Sequence, residues 1–217
     1  MRRRGRSLRA VYRALYRAHG PQHWWPGDGV FEIMVGAVLT QNTAWQNVER
    51  AIARLRAAGA LDPRAILAAH PARLASWLRP SGYFNVKARR LKHLCRALLE
   101  DGGPARWRRL PTPVLRQRLL AVHGIGPETA DDILLYAFGR PVFVIDAYTR
   151  RIFSRLGWIS GREDYETLRG WCEASLGPDA ALFNEYHALL VAHGKDVCRV
   201  RPRCGDCVLR RRCPAAC

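Results

Sequence analysis

Five prolines set the frame of this chain. Pro63, Pro71, Pro113, Pro127 and Pro178 each stand just ahead of an apolar pattern at helical spacing. Proline is tolerated in a first helical turn because the N–H it lacks has no partner there, and its fixed φ already suits the helix. Asp62 and Thr112 precede two of the prolines as expected N-caps. Behind these starts Trp45, Val48, Ile52 and Leu55 recur on one helical face, as do Leu91, Leu94, Cys95 and Leu98, and Leu182, Tyr186, Leu189 and His193. Residues 31–39 are apolar nearly all round, as in a helix at the centre of a bundle. Only residues 141–145 read as a strand, and a lone short strand finds no partner. The expected fold class is all-α.

The charge narrows the partner. The 217 residues carry 36 Lys and Arg against 18 Asp and Glu, a net charge of +18. Each phosphate neutralised by such a surface releases condensed counterions, so a polyanion is the expected partner. Lysine is confined to Lys87, Lys92 and Lys195, which marks an arginine-biased composition. That bias alone would raise acidic residues as readily, which leaves nucleic acid first and a membrane surface second. No run of 18 apolar residues spans a bilayer. No apolar stretch with a small-residue cleavage site follows the basic start, so the expected location is the cytoplasm, on the bacterial nucleoid.

Residues 113–138 read as helix, tight turn, helix. His123-Gly124-Ile125-Gly126 turns the chain and Pro127 opens the second helix. Two glycines around one apolar residue allow positive φ on both sides, while Ile125 plugs the gap between the helices. The backbone N–H groups of such a turn, with the positive end of the second helix, hold a phosphate or a cation bridging to one.

Four of the seven cysteines, Cys198, Cys204, Cys207 and Cys213, form C-x5-C-x2-C-x5-C. Thiolates this closely spaced bind zinc or a [4Fe–4S] cluster in a reducing compartment, and spacing alone does not choose between them. Cys95 and Cys172 read as core residues, and Cys217 as a tail thiol.

Residues 120–130 followed by Val144-Ile145-Asp146 resemble the signature of the endonuclease III superfamily, the helix-hairpin-helix DNA glycosylases. Val38-Leu39-Thr40-Gln41-Asn42-Thr43, Gly82-Tyr83-Phe84-Asn85-Val86-Lys87-Ala88 and the C-terminal cysteines are similar to further motifs of that family in the same order, so the resemblance runs over about residues 24–213. It implies a two-lobed fold. A six-helix barrel lobe covers 31–146 and includes the hairpin at 113–138. A second lobe, from residues 1–30 and 147–217, carries a [4Fe–4S] loop at 198–213. The family's loop usually has six residues in the first gap where this chain has five. The implied partner is double-stranded DNA with a damaged base, bound by a monomer.

Breaking an N-glycosidic bond builds positive charge on the sugar, which a fixed carboxylate stabilises while it orients water. The resemblance gives this role to Asp146, which also suits the N-cap of a helix over 147–156. Bifunctional members carry a lysine, which forms a Schiff base with the sugar, where this chain has Glu128. A carboxylate forms no imine, so the implied enzyme excises the base and leaves the strand intact.

Trp24-Trp25-Pro26, Trp45 and residues 79–85 are similar to the 3-methyladenine DNA glycosylase branch, which also has an acidic residue at the position of Glu128. A 3-alkylated purine is cationic, and aromatic faces attract such a ring. The resemblance therefore implies a base pocket from Trp24, Trp25, Trp45, Glu128 and Lys195, with Trp25 and Trp45 as its two walls. Core packing is the ordinary use of tryptophan, and a solvated position near phosphates is the alternative for Lys195. Gln41 matches the residue that fills the vacated stack, and Tyr83 the wedge in the opposite strand. Lys87, His123, Gly124, Ile125 and Gly126 complete the expected DNA contacts. Two other readings stay open: an endonuclease III-like enzyme for oxidised or mismatched pyrimidines, and a non-catalytic DNA-binding module.

Overall fold

Helix α1 (Arg2–His19) buries Leu8, Val11 and Leu15 along one stripe. It packs against helices near the other end of the sequence, so residues 1–24 and 139–217 form one unit and residues 25–138 another. This division falls several residues before the expected boundaries and places Asp146 in the terminal unit. The computed structural model describes residues 2–217, and the side chains of residues 8–217. Among them no strand forms, and no helix is long and apolar enough to cross a membrane.

The central unit is built around α2 (Val30–Leu39), whose residues from Met34 onward are buried without interruption. Glu32 enters this apolar helix paired at 2.6 Å with Arg56 of α3 (Trp45–Ala57). Two short helices, α4 (Pro63–Ala68) and α5 (Pro71–Leu78), pack on the long α6 (Phe84–Glu100). Asp62 caps α4 as expected, accepting from the N–H groups of Arg64 and Ala65 at 2.8 and 3.0 Å. The chain continues through α7 (Pro104–Arg109), α8 (Thr112–Leu120) and α9 (Pro127–Asp132) into a π-helical turn at Ile133–Ala137. Thr112 is not the cap of α8. It is the first helical residue, and Pro111, which offers no side-chain acceptor, takes the cap position.

Lys87 corrects the expectation that it meets DNA. It is 1% exposed, and its amine donates to the carbonyls of Leu39 (2.8 Å) and Ser81 (2.6 Å). It staples the end of α2, where helix carbonyls lack internal partners, to the turn before α6. Burial lowers its pKa to about 8, and the Arg90 charge adds to the effect. The folded chain therefore binds fewer protons here than the unfolded chain between about pH 8 and 10.5, and the stability attributable to Lys87 rises with pH across that window. Lys87→Met is expected to cost about 2–3 kcal/mol in urea unfolding, because two buried carbonyls lose their donor.

In the terminal unit the extended residues 141–145 bury Val142, Phe143, Val144 and Ile145 and lead into α10 (Ala147–Arg155). Then follow α11 (Tyr165–Leu176) and α12 (Ala180–Asp196). Pro178 lies outside α12, whose cap is Asp179, accepting from the Leu182 N–H at 2.9 Å. The cysteine loop ends the unit.

Candidate functional site

The hairpin joins α8 to α9 through residues 121–126. Arg116 of α8 reaches the fully buried Asp131 of α9 with two nitrogens, at 2.7 and 3.1 Å, and ties the two helices together. Only one of the two turn glycines takes a left-handed conformation. Gly124 has φ +93°, whereas Gly126 is extended at φ −91°, ψ 177° and accepts the first bond of α9 from the Ala130 N–H. Ile125 is buried as expected, and its N–H is used inside the turn, donating to Val122. His123 is exposed, with its ring edge-on to His93. Glu128 is exposed in the first turn of α9.

Gln41 lies beside this turn. Its amide donates to the Thr129 hydroxyl at 2.8 Å and to the Gly124 carbonyl at 3.2 Å, and its carbonyl accepts from Arg90. The backbone around the expected DNA residues is strained. Asn42 next to Gln41, His23 next to Trp24, and Tyr83 itself are the described non-glycine residues with positive φ, at 55°, 51° and 43°. A bulky residue held there is sustained by its surroundings. Tyr83 is also 67% exposed just ahead of α6, the placement a wedge requires.

The tryptophan expectation needs correction. Trp25 and Trp45 meet edge to face, with centroids 5.1 Å apart and planes at 86°, which leaves no slot for a base between them. They form one cluster rather than two walls. Trp25 also meets Tyr136, at 5.0 Å and 53°, and lies against Gly36, where any Cβ would stand 3.0 Å from the indole. Tyr136 escaped sequence reading because it sits on the π-helical turn, out of the helical register that the apolar pattern implied. Trp24 is half-buried in the terminal unit, and Lys195 is exposed near the end of α12.

Asp146 caps α10, with Oδ1 accepting from the Thr149 N–H at 2.6 Å. Its other oxygen, Oδ2, faces His187 Nε2 of α12 at 3.6 Å, both side chains being about nine-tenths buried. Burial pushes the carboxyl up, but the His187 imidazole and the Thr149 N–H together outweigh it and hold the pKa below the ordinary value. The site thus keeps a buried carboxylate ionised, with Oδ1 fixed by the Thr149 N–H and Oδ2 facing His187. His187 was not legible in the sequence, since only its placement opposite the α10 cap distinguishes it from a core histidine.

Cys198, Cys204, Cys207 and Cys213 line one small cavity with Arg155, Arg203 and Arg210. α10 anchors the loop: Arg151 donates to the carbonyls of Cys198 and Gly194 at 2.8 and 2.7 Å, and Arg155 to those of Arg199 and Val200 and to the Cys198 sulfur. Among the described residues no three His, Cys, Asp or Glu side chains close on a point that would hold a single ion. The thiols surround a space, and their donor set is soft.

Comparison with known proteins agrees with this geometry. The family model of the HhH-GPD superfamily of base excision DNA repair proteins matches residues 35–176. A Methanocaldococcus jannaschii protein named as a candidate DNA repair glycosylase, MJ1434, is 42% identical over 206 residues, 94% of each chain. Thermotoga maritima endonuclease III is 29% identical over 184 residues, 84% of this chain and 82% of that one. The crystal structure of H. pylori 3-methyladenine DNA glycosylase (MagIII) bound to 1,N6-ethenoadenine superposes with a TM-score of 0.72 at 30% identity, covering 88% of this chain and 95% of that one. With its hairpin, its capped carboxylate and these relatives, the chain belongs to the HhH-GPD superfamily of base excision DNA repair proteins, the endonuclease III superfamily of DNA glycosylases.

Proposed function

We propose that this glycosylase is monofunctional and excises alkylated purines such as 3-methyladenine from double-stranded DNA, leaving an abasic site. The observation that carries the reading is Glu128. It stands exposed at the head of α9, at the position where the family's strand-cleaving members carry the amine. Without a nucleophilic amine no Schiff base forms, and the reaction stops after base loss. The likeness to the H. pylori enzyme and the aromatic cluster of Trp25, Trp45 and Tyr136 support a purine substrate.

The chemistry requires little else. Extrusion of the nucleotide costs a few kcal/mol of unstacking, met by Gln41 in the vacated stack and Tyr83 in the opposite strand. The hairpin turn of His123, Gly124, Ile125 and Gly126 takes the phosphate. An alkylated purine leaves as a neutral base, so no strong acid is needed. Oδ2 of Asp146 stabilises the positive sugar and orients the water that attacks it.

Cys198, Cys204, Cys207 and Cys213 are proposed to hold a [4Fe–4S] cluster. Four closely spaced thiols around one cavity are a soft donor set that suits such a cluster. Bound there, the cluster supplies a rigid cross-link for the arginine-rich loop. Purified protein is expected to be brown, with a broad visible absorbance that chelation of zinc alone does not remove. The protein is proposed to act as a monomer, on the nucleoid in the cytoplasm.

The second reading, removal of oxidised or mismatched pyrimidines, is favoured by the likeness to T. maritima endonuclease III. Duplexes with single defined lesions separate the two. Release of 3-methyladenine with the strand intact, and no covalent product on borohydride treatment, is the expected result. Release of oxidised pyrimidines alone would sink the substrate reading, and a borohydride-trapped complex would sink the reading of Glu128.

A further inference from the structure

Gln41 is held at both ends of its amide by the hairpin and by one arginine. Nε2 donates to the Thr129 hydroxyl at 2.8 Å and to the Gly124 carbonyl at 3.2 Å, while Oε1 accepts from Arg90 Nη1. Arg90 reaches it from α6 by laying its stem across the turn. A Cβ at residue 124 would stand 2.4 Å from Arg90 Cγ and 2.9 Å from Cδ, so the contact exists only because residue 124 is glycine. Gly124 therefore serves twice, for its φ of +93° and for the room it leaves.

We propose that Arg90 is a positioning residue that braces Gln41 against the hairpin, so that the turn gripping the phosphate and the side chain filling the vacated stack move as one body. The proposal rests on the reading above that Gln41 takes the place of the extruded base. A free glutamine loses the freedom of three torsions when it enters a base stack, and a braced one has lost it beforehand. With both amide ends satisfied by protein, Gln41 offers the neighbouring bases its flat faces and leaves no polar edge buried without a partner. Arginine suits the brace because its guanidinium stays charged and its planar fork keeps a fixed direction, which a lysine would not. The competing account is that Arg90 is a phosphate contact like Arg89, its exposed neighbour on α6. Loss of either residue would then act only through charge.

The test uses the full-length protein and duplexes with 2-aminopurine beside a non-cleavable abasic analogue, which brightens when the neighbouring base unstacks. Single-turnover excision and affinity for undamaged duplex are measured alongside. Arg90→Ala is expected to lower the fluorescence change and the excision rate about tenfold, while affinity for undamaged duplex falls no further than in Arg89→Ala. Arg90→Gln, which restores a donor without the charge, should recover part of the fluorescence change. Thr129→Val, which removes the shorter of the two bonds at Nε2 without changing charge, should lower it and serves if Arg90→Ala folds poorly. Equal losses in all three measurements for Arg90→Ala and Arg89→Ala, or no recovery with Arg90→Gln, would overturn the brace. A Gln41→Ala protein with unchanged fluorescence would instead sink the role of Gln41 on which the brace depends. Failure of the wild type to release any base would sink the glycosylase reading.

Discussion

Asp146→Asn is expected to lower base excision about 10³-fold or more while leaving DNA affinity and folding close to wild type. The structure shows Asp146 as a helix cap, the proposed function makes it the catalytic carboxylate as well, and this substitution separates the two. As the cap of α10 it accepts from the Thr149 N–H through Oδ1, and asparagine caps a helix as well as aspartate does. In the proposed reaction it acts on the sugar cation through its charge, which asparagine lacks. A helix cap alone would therefore show almost no effect on rate, and the activity of the purified Asp146→Asn protein in a single-turnover assay decides. The pH dependence follows the same logic. The folded pKa lies below the ordinary carboxylate value, so the stability Asp146 contributes is complete above about pH 4 and is lost only as pH falls through that lower folded value. A fall in rate between pH 5 and 7 would accordingly report a group other than Asp146. His187→Asn removes the imidazole that faces Oδ2, and the rate of that variant reports whether this neighbour matters to excision.

The largest expected loss of stability comes from Arg116→Leu, at about 3–5 kcal/mol. Asp131 has no exposed surface, and Arg116 meets its carboxylate with two nitrogens across the hairpin. Removing the guanidinium leaves a buried charge without that counterion. Against a total stability of roughly 5–15 kcal/mol, the change is expected to lower the melting midpoint by on the order of 10 °C. The double substitution Arg116→Leu with Asp131→Leu should recover most of the loss, because an apolar pair of similar volume replaces a well-matched ion pair at small cost. A double variant as unstable as the single one would mean that the hairpin angle itself depends on the pair.

The helices were legible because their starts are chemical and local. Proline and aspartate announce α4, and a glycine-rich turn announces α9. Where the reading slips, by a residue at Thr112 and by two at Pro178, residue type points to one position and the backbone chooses its neighbour. Side-chain destinations were less legible. Lys87 follows an exposed-looking run and precedes Arg89 and Arg90, and nothing in that run marks it as the one whose amine turns inward to Leu39 and Ser81. Trp25 and Trp45 stand out in the sequence, but their mutual angle depends on Gly36 and on Tyr136. His187 and Arg90 became visible only when elements distant in sequence were placed side by side. Sequence patterns report which residue types are available, and tertiary packing decides what each one faces.

Helix α10 starts at the cap Asp146 and ends where Arg151 and Arg155 hold the cysteine loop. Its nine residues span about 14 Å and join the capped carboxylate at one end to the sulfur-rich loop at the other. The loop that carries the four thiols and the carboxylate of Asp146 thereby hang on one rigid element, and their spacing within the terminal unit is fixed by its length.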